Sequence, residues 1–527
     1  MKKYLFLAVA ALGFVACTEK GLDNNSPANN GELEQSYVAI SLAADDMATK
    51  ADDGKYAEGS EAERAVKSAY VFFFKDGAAF PVTFDGTTST NTGANNYLKV
   101  DLSNNKTDMP NVSDVKNAVL VLQNYKGEYP NQIVAVLNWN PTAQASYTLE
   151  NLRAKISALG NDTDGYVMSN AVYADAEAKT VDAVDLTIAN IGKTEAEALA
   201  NPVTIYVERV AAKVVFTTAN NDGKFAVEKE IEGKPVYAQI KGFELYNDYQ
   251  ESWLIKRIDP TWSESDLGFN WNDANWFRSY WAQSLGKAFE NNTFAWNTEN
   301  TAIGGSVYCG ENTRNWTEDA DVRTKVVVKA QLVDVDGNPF EVVNWYGKDY
   351  IGENDLLKVV ANTLKNTYYT SADASTFTGL LPEDIQCVDR LVTDAKAYEV
   401  YFQLSSDGAN KKWYKKNADG SYTDVDIPTL NAELATVQPA LVYKNGMTYY
   451  WTDIKHLGAE GKTAEYGVVR NHVYKVNITD ITGYGTPVYD GTSDFINLEK
   501  PEDITTYVSA QINILSWRVV EHDYELE

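Results

Sequence analysis

The segment Ser36-Tyr37-Val38-Ala39-Ile40-Ser41-Leu42-Ala43 alternates residue by residue, with Val38, Ile40 and Leu42 in one phase. A period of two is the signature of a strand with one buried face. A polar run follows, and Lys50 is the only Lys or Arg between Lys20 and Lys55. A trypsin-like protease therefore has one clear target directly behind the strand, at Lys50-Ala51. A sheet that loses a strand keeps a groove of unpaired backbone groups, which another chain can fill. The rest of the sequence has to supply the sheet that holds this strand and a segment able to replace it.

The front end reads as an export signal. Lys2 and Lys3 precede an apolar run from Tyr4 to Val15, too short to span a bilayer, which ends in small residues at Cys17. Ala16-Cys17 has the form of a bacterial lipoprotein cleavage site with the cysteine lipidated, although Phe14 stands where that motif usually has Leu. An ordinary signal peptide with an incidental cysteine is the alternative. Beyond it only Cys309 and Cys387 remain, too few for a disulfide framework or a metal site. No later apolar run approaches membrane-spanning length, so the expected product is exported and tethered only by lipid. The formal charge of −28 over 527 residues argues against nucleic acid or an anionic membrane surface as a partner. Aromatic residues at 12%, with 33 Tyr against 5 Met, favour pleated, half-buried surfaces.

Taken in order, residues 1–16 are the signal, 17–35 a lipidated Asn- and Pro-containing tether, and 36–50 the removable strand. The patterns predict strands at Val66–Phe74, Tyr97–Leu102, Ala118–Leu122 and Gln132–Leu137, a helix-like stretch over Thr148–Leu159, and a strand over Val203–Thr217. The pattern restarts near Tyr206, giving an N-terminal domain at 51–205 and a C-terminal domain at 206–527. Further strands are expected at Val236–Leu245, Lys325–Val333, Phe340–Val343, Ala397–Gln403, Leu441–Trp451 and His472–Thr479, with a hairpin turn at Asp336-Gly337-Asn338. An all-β chain of two β-sandwich domains, with long loop insertions and few short helices, is the architecture this pattern supports.

Several landmarks together resemble the fimbrilins of type V (Bacteroidales-type) pili, over essentially the whole chain. They are the signal ending at Cys17, the strand Ser36–Ala43 with its Lys50 run, Tyr206-Val207-Glu208-Arg209-Val210, Tyr308-Cys309-Gly310-Glu311-Asn312-Thr313 and Tyr449-Tyr450-Trp451. Val468-Val469-Arg470-Asn471-His472-Val473-Tyr474-Lys475-Val476 and the closing Ile512-Asn513-Ile514-Leu515-Ser516-Trp517-Arg518-Val519 complete the set. The resemblance implies transthyretin-like sandwiches and export as an outer-membrane lipoprotein precursor. It further implies that a surface protease removes the first strand. The C-terminal strand of the next subunit then enters the emptied groove, building an extracellular pilus for adhesion and biofilm formation. The family's cut commonly follows Arg, which makes Arg64-Ala65 a second candidate beside Lys50-Ala51.

The donor is assigned to residues 507–527. Val508, Ala510, Ile512 and Ile514 share one phase, while Leu515, Trp517 and Val519 take the other, predicting a bulge or bend near Leu515. No enzyme, cofactor or metal is expected: His456, His472 and His522 have no ligand spacing, and no nucleophile elbow, phosphate loop or dinucleotide fingerprint occurs. Asp334–Asn338 has a faint likeness to a calcium loop but lacks the bidentate Glu at the right spacing. Trp253, Trp262, Trp271, Trp276, Trp281, Trp296 and Trp316 cluster in one stretch; they either pin an irregular insertion to the sandwich or form a sugar-stacking face. The partners expected are related pilus subunits head-to-tail and a processing protease. The rival reading is a monomeric surface lipoprotein that binds glycan or protein, or a tip adhesin of the same pilus.

Overall fold

The computed structural model describes residues 34–44, 59–82, 95–100, 103–105, 115–124, 128–142, 146–174, 180–258, 283–290, 295–298, 300–314, 322–389, 395–492, 508–515 and 521–522. The fold is mainly β, with short helices between the sheets.

Apolar alternation in the first half produces one large sheet. Its main strands are β1 (Glu34–Ala44), β2 (Ala69–Lys75), β3 (Val115–Asn124), β4 (Gln132–Leu137), β5 (Met168–Asn170), β6 (Ile191–Gly192) and β7 (Val203–Arg209). The spatial order is β2-β4-β5-β7-β1-β3, and β6 pairs with β1. Val38, Ile40, Val71, Phe73, Ile133, Ala135, Met168, Val203, Ile205 and Val207 meet in one cluster on one face. The other face, with Phe72, Phe74, Val134 and Val136, packs on Val210, Ala211, Leu254 and Ile255. Three helices punctuate this half: α1 (Glu61–Arg64), α2 (Leu149–Arg153) and α3 (Glu195–Ala200), started by Ser60, Thr148 and Thr194, whose side chains accept N3 backbone N–H bonds.

The second half is a sandwich. Its strands are β8 (Ala212–Thr218), β9 (Lys224–Ile231), β10 (Lys234–Tyr246), β11 (Ser306–Cys309), β12 (Lys325–Val333), β13 (Met447–Asp453), β14 (Val473–Ile481), β15 (Val508–Leu515) and β16 (Glu521–His522). One sheet runs β11-β8-β14-β15-β16 and the other β9-β10-β12-β13, closed by Thr486–Pro487. Val214, Phe216, Tyr474, Val476 and Ile478 face Phe243, Val326, Val328, Ala330 and Tyr450 across a shared core. Between β12 and β13 the chain makes a long excursion with sheets of its own, a 13-residue helix (Gly352–Leu364) and a separate core around Trp345, Leu356, Val400, Phe402 and Trp413.

Gln132–Leu137 and Lys325–Val333 lie where the sequence predicts them. The stretch Thr148–Leu159 does not: its helix stops at Arg153, and Ile156–Ala158 is a strand paired with Glu251–Trp253, a contact nearly a hundred residues away that overrides local preference. Val203–Thr217 is two strands rather than one, broken at Val210-Ala211, where the chain passes from the first sheet to the second. Leu441–Trp451 also divides, into Ala440–Tyr443 and Met447–Asp453, because Asn445 (φ 52°) and Gly446 (φ 75°) take the left-handed backbone of a turn. The expected hairpin at Asp336-Gly337-Asn338 is present. The Asp334 N–H donates to the Asn338 carbonyl at 2.9 Å, and Gly337 takes φ 87°.

Candidate assembly site

β1 occupies the middle of the first sheet, not its edge. On one side Glu34–Ala43 runs antiparallel to β3 over ten residue pairs. On the other, Tyr37 and Val38 pair with Gly192 and Ile191 of β6, and Ile40–Ala44 runs parallel to β7 from Val203 to Val207. Val38 and Ile40 are fully buried in the cluster with Val71, Phe73 and Ile205. The side chain of Leu42 lies outside the described residues, as do Cys17, Lys50 and Ala51.

Arg64 and Ala65 are in view. The N–H groups of Arg64 and Ala65 donate to the Ser60 carbonyl at 3.1 Å and the Ala62 carbonyl at 3.2 Å. The Asn138 side chain donates to the Ala65 carbonyl at 2.8 Å and accepts from the Lys67 N–H at 2.7 Å. The Arg64-Ala65 bond is thus clamped on both sides, and a protease needs the opposite, an extended and released segment.

The tail segment is also paired within its own chain. β15 runs antiparallel to β14, with Val508 opposite Ile481, Ile512 opposite Val476, Ile514 opposite Tyr474 and Leu515 opposite Val473; β16 adds Glu521 and His522 beyond it. The register slips between Ile478 and Asp480, so an irregularity falls on the partner strand at Thr479. Residues Trp517 and Val519 lie outside the described residues.

Sequence reading missed the polar junction between the two halves. Glu63, 2% exposed, is the hub of its outer part. Its carboxylate accepts from Lys213 Nζ at 2.8 Å, from the Tyr308 hydroxyl and from the Ser60 N–H at 2.6 Å, while Arg209 Nε donates to the Glu63 carbonyl at 2.8 Å. Burial pushes this carboxyl up, but the Lys213, Tyr308 and Ser60 donors together outweigh it and hold Glu63 below its usual value. Gly59 is pressed against the same group: a Cβ there would stand 2.8 Å from Arg209 Nη2.

Deeper in, Lys256 Nζ meets Glu208 at 3.0 Å and Arg470 Nη2 meets Glu311 at 2.6 Å, all four side chains buried. Burial pushes Glu208 up and Lys256 down, each opposed by the other's charge. Arg470 also donates to the carbonyls of Trp253 (2.6 Å) and Leu254 (3.3 Å), and Ser252 Oγ donates to Glu311 at 3.2 Å. Since Glu251–Trp253 pairs with Ile156–Ala158, Arg470 fastens the second half to a strand laid on the first. The signal was present in the landmarks themselves: Glu208-Arg209, Glu311 and Arg470-Asn471 are charged or amide residues set inside apolar strand patterns. Replacing Arg470 with Met should cost about 3–5 kcal/mol, because it strands Glu311 in the core. Chemical denaturation should show a lower midpoint, and an unchanged midpoint would mean the network is incidental.

The remaining sequence candidates resolve into structural roles where they are described. Trp296 Nε1 donates to the carbonyls of Thr448 (3.0 Å) and Ala330 (3.3 Å), pinning its loop to the sandwich. Trp253 donates to the Ser284 carbonyl at 3.4 Å, with the Arg257 guanidinium 3.6 Å over its ring. Trp262, Trp271, Trp276, Trp281 and Trp316 lie outside the described residues. His456 and His472 are buried, with Nδ1 atoms at 3.0 Å from the Tyr474 hydroxyl and 2.8 Å from the Arg470 carbonyl. The Asp334 carboxylate accepts from the N–H groups of Asp336 and Asn338, both at 2.9 Å. Among the described residues no group of three or more His, Cys, Asp or Glu side chains is placed to hold a metal, and no helix is long and apolar enough to cross a membrane.

Residues 441–523 match the family described as major fimbrial subunit protein type IV, fimbrillin, C-terminal. No curated protein matches the chain. Among solved structures, a candidate cell adhesion protein from Parabacteroides distasonis aligns at 12% identity over 91% of this chain and 96% of its own, with a TM-score of 0.34. The tip fimbrial protein Mfa3 from Porphyromonas gingivalis aligns at 12% identity over 92% and 100%, TM-score 0.28. A fimbrial assembly protein from Parabacteroides distasonis aligns at 14% over 74% and 98%, TM-score 0.27. The matched segment 441–523 runs through β13 and β14 to the tail strands β15 and β16, so the C-terminal part of this chain is of fimbrillin type.

Proposed function

We propose that this protein is a structural subunit of a pilus shaft, exported as an outer-membrane lipoprotein precursor through Cys17 and polymerised by strand exchange. A surface protease cuts after Lys50, β1 is lost, and the tail 507–527 of the next subunit takes its place. The two domains of this reading, 51–205 and 206–527, supply the acceptor sheet and the donor respectively. The observation that carries it is the position of β1: a central strand, laddered on both edges, that precedes the body of the chain and is followed by a basic residue. A joint between one subunit's groove and another's tail is head-to-tail and does not close, so it propagates as a filament serving adhesion and biofilm formation.

The test is electron microscopy of the purified precursor before and after brief trypsin treatment, with N-terminal sequencing of whatever assembles. Fibres whose subunits begin at Ala51 are the expected result. Subunits beginning at Ala65 would move the cut to Arg64, and fibres whose subunits still begin at Cys17 would overturn the mechanism.

A further inference from the structure

The neighbour of β1 changes along its length. Val38 stands opposite Ile191 of β6 and Ile40 opposite Val203 of β7, and Ala39 between them is paired with neither strand. The chain leaves β6 at Gly192, opposite Tyr37, forms α3 and returns at Val203, opposite Ile40. α3 packs against β1, β6 and β3, and its one buried residue is Ala198. Ala39 points away from the Val38–Ile40 core by strand alternation. It is nevertheless only 1% exposed, whereas Ser41, next on that face, is only partly buried. α3 therefore roofs the strand at one position. α3 also lies tight on the strand beside it: a Cβ on Gly192, opposite Tyr37, would lie 2.5 Å from the Ala198 nitrogen and 2.8 Å from the Thr194 carbonyl oxygen.

We propose that α3 is a register gate, admitting only a small residue at the place of Ala39, and that in the fibre this residue is Ser509 from the tail of a second copy. The proposal rests on the strand-exchange reading above and adds the alignment of the two chains. With Val508 at the place of Val38, Ser509 lies beneath Ala198, and Ala510, Ile512 and Ile514 follow inward at the places of Ile40, Leu42 and Ala44, where β1 ends. Sliding by two or four residues puts Gln511 or Asn513 under the roof, each longer than Ala and carrying an amide. The opposite phase seats Ala510 or Ser516 there but brings Gln511 or Trp517 into the enclosed apolar place of Ile40. Overfilling a close-packed site of this kind forces backbone shifts, so only the Ser509 frame satisfies both faces.

Full-length precursors carrying one substitution each would be processed with trypsin and their fibre growth followed by light scattering and electron microscopy. Ser509→Ala should assemble as wild type does. Ser509→Leu should slow assembly at least tenfold, and Ala198→Gly in the same chain, which takes a methyl group off the underside of α3, should restore much of the rate. Growth of Ser509→Leu at the wild-type rate, or a block seen instead with Ser516→Leu, would overturn the register. Failure of the processed wild type to form fibres would instead overturn the strand-exchange reading.

Discussion

Replacing both Lys50 and Lys55 with Ala is expected to leave a folded monomer that trypsin does not convert to fibres. The pair is needed because Lys55 is the only other Lys or Arg between β1 and α1, and a cut there frees the same strand. In the uncut chain β1 is tied to its groove at high effective concentration, so no neighbour's tail competes. Both lysines lie beyond Ala44, where β1 ends. Cutting alone does not empty the groove. Among the described residues β3 has as sheet partners only β1 and the three-residue strand Ser103–Asn105, so loss of β1 would detach β3 from the rest of the sheet. The nicked subunit should therefore keep its fragment until a tail displaces it progressively. Native mass spectrometry after brief digestion should find subunit and fragment together. Single Lys50→Ala protein giving fibres that begin at Tyr56 would show that loss of the strand matters and the particular bond does not. Fibres from the double variant would sink the trigger altogether.

The sequence carried the central strands clearly because they are buried on both faces: Ile133–Leu137 is a continuous apolar run, and Lys325–Val333 is apolar but for Lys325, Lys329 and Gln331. It also carried Val38 and Ile40 as inward residues, since one alternating phase suffices. Breaks such as Asn445-Gly446 were written as a turn signal but sat inside an aromatic run that reads as uninterrupted strand. The junction was hidden for a different reason. Arg209 bonds Asn471 from 262 residues away, and Arg470 reaches Trp253 across 217. A charge inside a strand pattern announces that a partner exists, and only the fold says which one. The same holds for the tail, whose alternation is legible while its resting place on β14 is not.

Deleting residues 507–527 should abolish fibres while leaving the cut site and groove intact, and the resting place of the tail says what else to expect. In the isolated subunit β15 is laddered to β14 over eight residue pairs and to β16 over two. In the groove, with Val508 at the place of Val38, the tail from residue 507 finds seven of the ten pairs that β1 makes with β3 on one side, and five with β7 plus two with β6 on the other. Each ladder hydrogen bond contributes about 0.5–1.5 kcal/mol net, and each apolar side chain fully buried about 1.5–3 kcal/mol. The tail therefore gains by leaving a site with one long ladder for one with a long ladder on each edge, and this difference drives growth once β1 is free to go. The truncated subunit loses that gain, and it also bares the edge of β14 beside Tyr474, Val476 and Ile478 of the sandwich core. It should accept the tail of an intact processed subunit through its own groove, yet pass nothing on. Mixed in small amounts with wild-type protein, it should cap one end and shorten fibres in proportion to its fraction. Normal fibres from the truncated protein alone would refute the assignment of the tail as donor, and unchanged fibre lengths in the mixture would refute the intact groove.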